Sequence, residues 1–524
     1  MERTKTHFKS VVVALAAAVF FSASCFAKNQ KIQIARNLDI FNSLYKELQV
    51  FYVDSIDAEK SITTAINAML NDIDPYTEYI PANDQDDFKA MTTGEYGGIG
   101  SFIMERDGNV FVSEPYENSP AHKAGLKAGD RFLKINSDTV VGWRSSKVSE
   151  HLKGQAGTEL TVVVDRPYVA DSIVTVNIKR EKIQRPAVTY YGVTQGDVGY
   201  IVLSSFTTGS AKEVKNALVE LKKDTRVKSI VLDLRGNGGG IIDEAIQIVS
   251  YFVPKDTEVV STKGKIERSN SSYKTQTSPI FPNMPLVVLV NGQSASASEI
   301  VAGALQDLGR ATIVGERTFG KGLVQNIRPI AYGGHLKVTT SKYYLPSGRC
   351  IQAIDYAERQ RGHELHRDTA GGILPDVVLA DSQKLDITYN LYRDHLFFDY
   401  ANYYYQQHPT IAPATAFQLT DSDLEDFCQF LDKKKFSYET ETGRNLGELI
   451  KMAKQEDIDS TLLADLEAFK PRLTVDYRAA IQRNREEVEE LLGGEIIKRY
   501  YYHRGMYAYA LRFDDQLQQA LQAF

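Results

Sequence analysis

Apolar residues recurring at spacings of three and four dominate the first readable stretch of the chain. Leu38, Phe41, Leu44, Tyr45 and Leu48 follow this rhythm and predict helix within residues 28–91. A second run, Ile62, Ile66, Met69 and Leu70, should stop at Asp74-Pro75, because proline disfavours helical geometry in the residue before it. The pattern then changes. Across residues 92–181, short β-rich runs (Val110 to Ser113, Leu160 to Val164, Ser172 to Ile178) sit between Gly, Pro and Asn punctuation. Residues 198–345 alternate strand and helix. Gly199 to Leu203, Ser229 to Leu234 and Pro285 to Val290 read as strands, and Ala211 to Leu221, a segment from Ile241 and Ser296 to Leu308 read as helices. Buried apolar strands each leading into a helix describe an α/β core. Beyond Asp381 the chain is helical again, polar and rich in Tyr up to Phe524, and no internal repeat is evident. The clusters Tyr403 to Tyr405 and Tyr500 to Tyr502 read more readily as helix packing than as a partner surface.

Composition adds two exclusions. The chain has 524 residues, which at about 150 residues per domain implies roughly three or four domains. Hydrophobic residues make up 43% and charged residues 24%, as expected of globular domains with proper cores. Lys plus Arg number 61 against 67 Asp plus Glu, a net charge of −6, so a phosphate backbone is not the expected partner and no nucleic acid is called for. Cys350 and Cys428 are too few for a disulfide framework. Residues 1–27 stand apart. Arg3, Lys5 and Lys9 precede an apolar run from Val11 to Phe21 and small residues ending at Ala27, the pattern of a secretory signal peptide too short for a stable membrane anchor. Cys25, after Ser22-Ala23-Ser24, offers a second reading, a lipid anchor at a lipobox-like site. Either way the expectation is an exported protein of the periplasm or cell envelope.

Four segments carry candidate chemistry. Asn291 to Ile300 leaves a buried strand and opens a helix, a corner that exposes a hydroxyl and aims helix N-terminal N–H groups at the same spot, as a nucleophile beside an oxyanion hole requires. Ser296-x-x-Glu299 is equally a capping box, which starts many ordinary helices. Downstream, Lys321 is bracketed by Gly320, Gly322, Phe319, Leu323 and Val324, as a desolvated amine would be, whereas a lone Lys is usually a solvated charge. A Lys base needs its reference pKa of ~10.4 lowered by about 3 units, roughly 4 kcal/mol of desolvation. In an extended segment Lys321 and Gln325 point to one face, and a Gln can orient the amine by hydrogen bonding. Neither segment contains His, so a Ser-His-Asp triad finds no support. The glycines of Leu232 to Gly240 fail the dinucleotide pattern G-x-G-x-x-G because Ile241 holds the last glycine's place. They suit a backbone that approaches a reacting group and donates N–H bonds. Lastly, Glu95 to Phe102 places glycines before a strand, where successive N–H groups can capture a peptide's terminal carboxylate, although glycines also merely serve turns.

Taken together, the strand-corner SASASE, the segment GERTFGKG with its Lys 25 residues after the middle Ser, and DLRGNGGG upstream resemble the C-terminal processing (tail-specific) serine peptidases. Ser119 to Asn136 resembles the helix-to-strand signature of PDZ domains, and Gly372 to Asp376 looks like the family's end-of-core motif. The resemblance covers roughly residues 35–380. It implies a multidomain α/β chain: signal peptide 1–27, N-terminal helical region 28–91, inserted β-rich PDZ domain 92–181, a crotonase/ClpP-like ββα Ser-Lys peptidase core 182–380, and C-terminal helical domain 381–524. Carried over residue by residue, it makes Ser296 the nucleophile, Lys321 its general base and Gln325 the residue orienting the lysine. It assigns the oxyanion hole to the N–H groups of Gly239 and Ala297, and peptide C-terminus binding to Gly97, Gly98, Ile99 and Gly100. Two positions depart from the family pattern: Gly238 stands where Pro is common and Gln293 where Gly is frequent, both touching loop stiffness near the oxyanion hole.

The implied function is an exported serine endopeptidase that recognises apolar free C-termini of partly unfolded envelope proteins and cleaves them by a Ser-Lys dyad. The dyad requires no metal and no cofactor, and His363-Glu-Leu-His366 is not the H-E-x-x-H of a zinc peptidase. Relatives use flanking helices for oligomer contacts, so a homo-oligomer is compatible with the resemblance. Two rivals stay open: a PDZ-type scaffold whose core is inert, and a module binding apolar small molecules on the same core. Neither needs Ser296, Lys321 and Gln325 together.

Overall fold

The computed structural model describes residues 31–82, 93–194, 196–368, 371–379, 386–438, 440–456, 458–473 and 476–524. The expected signal peptide and Cys25 lie outside the described residues. The chain divides into two units, one ending at Tyr79 and one beginning at Ile80.

In the first unit, helix α1 covers residues 31–51 and α2 covers Ala58–Ile73. Asp57 caps α2 by accepting the Lys60 N–H at 3.0 Å. The Tyr45 hydroxyl ties the two helices together, 2.8 Å from Ser61 Oγ and 3.1 Å from the Ala58 carbonyl. As the proline predicts, α2 stops at Ile73, immediately before Asp74-Pro75, and the Asp74 carboxylate then accepts the N–H groups of Tyr76 and Thr77 at 2.8 and 2.7 Å.

The second unit opens with a small β domain. Strand β1 is Glu95–Gly98, β2 Ser101–Arg106 and β3 Asn109–Pro115, followed by the short helix α3, Pro120–Lys123. Then come β4 (Arg131–Ile135), helix α4 (Ser145–Leu152), β5 (Glu159–Asp165), β6 (Ile173–Lys179) and β7 (Glu181–Gln184). One sheet runs β2-β3-β4-β5-β6, with β2 at its edge, while β1 pairs separately with β7. Alternation is clear in β5, where Leu160, Val162 and Val164 are buried and meet Phe132, Ile135 and Val112 in one cluster. Gly97 and Gly98 precede strand β2, as expected, and are also the last two residues of β1.

The α/β core follows. Strands β8 (Val188–Thr194), β9 (Val198–Leu203) and β10 (Ser229–Asp233) flank helix α5 (Ser210–Lys223), and helix α6 is Ile242–Ser250. Strands β11 (Glu258–Gly264) and β12 (Ser271–Lys274) come next, then β13 (Leu286–Val290), helix α7 (Ala297–Asp307) and β14 (Thr312–Gly315). The run closes with β15 (Leu323–Pro329), β16 (His335–Tyr344) and the short β17 (Val377–Val378). The main sheet has the order β8-β9-β10-β13-β14-β17, parallel from β9 onward. A second, antiparallel ladder joins β15 to β16, β16 to β11 and β11 to β12.

A parallel sheet must be covered on both faces. One face packs on α5, α6 and α7 through Ile230, Leu232, Leu286 and Val288. The other, through Val231, Val287 and Leu289, is covered by the end of the chain. That end belongs to a C-terminal helical region that includes α8 (Asp386–Arg393), α9 (Leu396–Gln407), α10 (Asp421–Lys433), α11 (Glu441–Gln455), α12 (Ser460–Phe469), α13 (Tyr477–Arg483), α14 (Arg485–Ala510) and α15 (Asp515–Ala520). Leu517 and Ala520 of α15 are wholly buried against the sheet. The tyrosine clusters serve mainly as packing: Tyr404 and Tyr400 lie in the helical core, with Tyr403, Tyr500 and Tyr501 against it. Among the described residues, no helix is long and apolar enough to cross a membrane.

Gly315 at the end of β14 has φ +126°, and a Cβ there would lie 2.0 Å from the Val290 carbonyl oxygen. Gly315→Ala should therefore destabilise the core by about 2 kcal/mol or more and lower the Tm by several degrees in a calorimetric melt. A wild-type Tm would contradict this packing.

Candidate active site

The loops leaving β10, β13 and β14 emerge side by side, because those strands are neighbours and parallel: Asp233 is paired with Leu289 and Val290 with Gly315. Ligand sites of open α/β sheets form at such carboxyl ends. Polar side chains stitch the first two loops together. Asn291 Oδ1 accepts the Gly236 N–H at 2.9 Å, and Ser294 Oγ donates to the Leu234 carbonyl at 2.8 Å. The fully buried Asn237 accepts the Ala295 N–H (3.0 Å) and the Ser298 hydroxyl (2.8 Å) on its carbonyl, and donates from Nδ2 to Leu203 O at 2.7 Å.

This stitching separates the three serines of the corner. The hydroxyls of Ser294 and Ser298 are wholly buried and bound to main-chain carbonyls. Ser296 alone among them has a left-handed backbone, φ 57° and ψ −113°, immediately before the first residue of α7. A non-glycine residue held there stores strain of order 1–3 kcal/mol, which the surrounding bonds must sustain. The nearest sustaining bond runs from the Ser296 N–H to Glu299 Oε2 at 2.8 Å.

Glu299 organises more than its helix end. Its carboxylate is completely buried and accepts four donors: the Ser296 N–H and the Lys321 N–H (2.9 Å) on Oε2, and Thr318 Oγ1 (2.5 Å) and the Gly320 N–H (2.7 Å) on Oε1. One oxygen thus joins the backbones of Ser296 and Lys321, 25 positions apart in sequence. Burial raises the Glu299 pKa above the ordinary carboxylate range, with the four hydrogen bonds opposing. In the sequence this residue was legible only as the fourth position of a capping box.

Lys321 is half-buried, between Leu323 and Val324, which are buried, and Phe319, which is 45% exposed. Its flanking glycines have a packing reason. A Cβ at Gly320 would lie 2.4 Å from Ala353 Cβ, and one at Gly322 would lie 2.4 Å from Gln352 N. Gln325 lies on β15, where its amide donates to Thr339 Oγ1 at 3.3 Å. A register shift between Val324 and Gln325 interrupts the strict alternation on which a common face for Lys321 and Gln325 rests.

Tyr343 of β16 has no precedent in the sequence reading. It is 3% exposed, and its N–H donates to Gly322 O at 2.8 Å. Burial pushes the phenol up to about 12, with the nearby Ser296 side chain opposing the rise. No sequence signal could have located it, since β16 pairs with β15 only through the antiparallel ladder.

Of the two expected oxyanion donors, Ala297 is the first residue of α7, so its N–H has no intrahelical acceptor. Gly239 lies against the corner with φ +97°, and a Cβ there would come within 2.8 Å of Ser296 Cβ and 2.9 Å of Ala297 N. Its N–H, however, donates to Asn237 Oδ1 at 2.9 Å, an Asx-type turn within the loop.

The second site is a cavity of about 560 Å³ between β2 and α4, lined by Tyr96, Ile99, Gly100, Phe102, Leu152 and Arg185 among others. Of the four residues expected to hold a terminal carboxylate, Ile99 and Gly100 line it. Gly97 and Gly98 instead pair with Lys182 and Glu181. The Ile99 carbonyl accepts Ala121 N–H (2.8 Å), and that of Gly100 accepts Tyr116 N–H (2.9 Å) and Ser119 Oγ (2.7 Å). In trans peptides the N–H groups of Gly100 and Ser101 then point the opposite way. Arg185, which the sequence did not single out, stacks 5.6 Å from the Phe102 ring. Among the described residues, no group of three or more His, Cys, Asp or Glu could hold a metal ion.

Comparison with known proteins follows the same division. Residues 197–378 match Peptidase family S41, residues 111–166 match a PDZ domain, and residues 387–524 match the C-terminal helical domain of probable PDZ-proteases. The chain is 36% identical over 377 residues to a carboxy-terminal-processing protease of Bartonella bacilliformis, covering 70% of this chain and 82% of that one. It is 34% identical over 348 residues to a probable CtpA-like serine protease of Staphylococcus aureus, covering 65% and 68%. Among solved structures, the photosystem II D1 C-terminal processing protease is 29% identical over 65% of this chain and 86% of its own, with a TM-score of 0.36.

Two outcomes are expected of this geometry. Glu299→Gln turns an amide NH2 toward N–H donors, so it should lower the Tm and slow acylation of Ser296 by a fluorophosphonate by about 100-fold. Between pH 10 and 12 the folded state keeps the Tyr343 proton that the unfolded chain releases, so stability falls as pH rises through this window. Tyr343→Phe should remove on the order of 2–3 kcal/mol of that fall, read by denaturant titration at pH 9 and pH 12.

Proposed function

The chain belongs to peptidase family S41, as a carboxy-terminal-processing serine peptidase with a PDZ domain, and on that footing we propose that Ser296 is its nucleophile and Lys321 the general base. Neutral Lys321 takes the Ser296 proton as the hydroxyl oxygen attacks the scissile carbonyl. The oxyanion is held by the Ala297 N–H and by Gly239, whose N–H exchanges Asn237 Oδ1 for the incoming oxygen. The amine leaves with the proton from Lys321, and water hydrolyses the acyl-enzyme with the same lysine as base. Gln325 orients the lysine, with the Tyr343 phenol beside Ser296. The observation that carries this reading is the single buried oxygen of Glu299 that binds the N–H groups of both dyad residues.

Residues 92–181 act as the PDZ domain, 182–380 as the Ser-Lys core and 381–524 as the helical domain, following helices in 28–91. An apolar C-terminal tail adds as a strand along the edge of β2, its carboxylate received by the N–H groups following Ile99 and Gly100. Residues 1–27 direct export, so that the substrates are partly unfolded proteins of the cell envelope. The mature N-terminus, read by mass spectrometry, decides between cleavage after Ala27 and a lipid on Cys25.

Ser296→Ala and Lys321→Ala should each reduce cleavage of an unfolded protein by a factor on the order of 10³ or more, with wild-type cleavage indifferent to chelators. A fluorophosphonate should label wild type at Ser296. Full activity in either variant, or cleavage lost to a chelator, would overturn the dyad. Amidating the substrate C-terminus should raise KM by about tenfold through loss of the carboxylate contacts. An unchanged KM would remove tail recognition from the reading.

A further inference from the structure

Arg235 opens the glycine loop that brings Gly239 against Ser296, and its guanidinium lies between two carboxylates. Asp233, at the end of its own strand, receives Nη2 at 2.6 Å. Asp514, from the far end of the chain, receives Nη2 at 2.5 Å and Nη1 at 3.1 Å, a two-pronged contact, and Gln516 Oε1 receives Nη1 at 3.0 Å. The Tyr200 hydroxyl closes the group, 2.5 Å from Asp233 Oδ2 and 3.3 Å from Arg235 Nη2. Asp233 tethers Arg235 only to the strand it comes from. Asp514 tethers it to a different layer, the helical segment that covers the sheet through Leu517 and Ala520.

We propose that Asp514 is a positioning residue of the peptidase site: through Arg235 it holds the loop from Gly236 to Gly240 at the distance from Ser296 that oxyanion binding requires. The C-terminal helical region is then part of the catalytic apparatus as well as a cover for the sheet. The inference rests on the reading of Ser296 as nucleophile. Burial by itself would lower the Arg235 pKa, but the charge of Asp233 and the hydrogen bonds to Asp514 and Asp233 hold it well above the ordinary guanidinium value. The guanidinium therefore stays charged and available to both acids.

The chemistry allows a clean test in the full-length protein. Asp514 also caps α15, accepting the Leu517 N–H at 2.9 Å. Asp514→Asn keeps a competent cap and leaves Asp233 and Arg235 as a neutral pair, so no buried charge is stranded. Leu517→Ala, in contrast, removes packing and leaves the ion pair. Asp514→Asn should slow fluorophosphonate acylation of Ser296 and lower kcat by about tenfold with KM and Tm nearly unchanged. Leu517→Ala should lower Tm by several degrees and leave acylation at the wild-type rate. Adding Gln516→Glu to Asp514→Asn should restore most of the lost rate, because it returns a carboxylate to Nη1. Wild-type acylation in Asp514→Asn, rate losses that track Tm in both variants, or no rescue in the double variant would each overturn the proposal. Failure of the wild-type protein to label at Ser296 would instead strike the nucleophile assignment, and this inference with it.

Discussion

Two segments that differ in every local respect, a strand-to-helix corner and a glycine-flanked lysine loop, meet on one buried carboxylate. Glu299 accepts four hydrogen bonds, two of them on one oxygen from the N–H groups of Ser296 and Lys321. A buried carboxylate costs several kcal/mol to desolvate, and only well-made hydrogen bonds offset that cost. The arrangement is therefore stiff: moving either loop strands a charge or leaves N–H groups without acceptors. It also sustains the left-handed backbone of Ser296, which no local preference of serine would choose. The rest of the site is arranged around that fixed point, with Tyr343 near Ser296 and Gly239 against its Cβ.

The main sheet extends the same logic outward. Strands buried on both faces need a second layer, and the chain supplies it from its last residues. Tyr507, Ala508 and Leu511 pack there with Leu517 and Ala520. Once that layer is in place, Asp514 lies beside Arg235 and links the covering helix to the glycine loop after β10. The helical region reaches the PDZ domain as well. Helix α14 is broken at Tyr502, φ 55°, where the Tyr502 hydroxyl is 2.8 Å from His122 Nε2. The neighbouring His503 donates its N–H to the buried Glu114 at 3.0 Å and packs its ring 5.4 Å from Phe102, a wall of the peptide groove. Arg106 and Asp399 add an ion pair at 2.9 Å between the same two regions. One helical region thus touches both the wall of the cavity between β2 and α4 and the glycine loop that lies against Ser296.

The peptide groove follows from a different constraint, the unpaired edge of β2. An edge strand exposes N–H and C=O groups that another chain can complete. Here helix α4 forms the opposite wall. The carbonyls of Ile99 and Gly100 are tied inward, and the N–H groups that follow them point the other way.

The amino-acid sequence by itself determined which elements exist and which residues carry reactive groups. Apolar runs such as Leu286 to Val290 become strands because they are buried on both sides, and proline at position 75 ends α2, in each case through local physics. Ser296 and Lys321 were legible as candidates for a similar reason, since glycines and small residues cluster where backbones must approach closely. What only the tertiary structure decided is where distant groups meet. The double duty of Glu299, the placement of Tyr343 and the reach of Asp514 to Arg235 depend on strand order and layer packing, which leave no periodic trace. The antiparallel ladder of β15 and β16 was unreadable for the same reason: its pairing, and the shift at Gln325, are set by the partner strand and not by the residues of either strand alone.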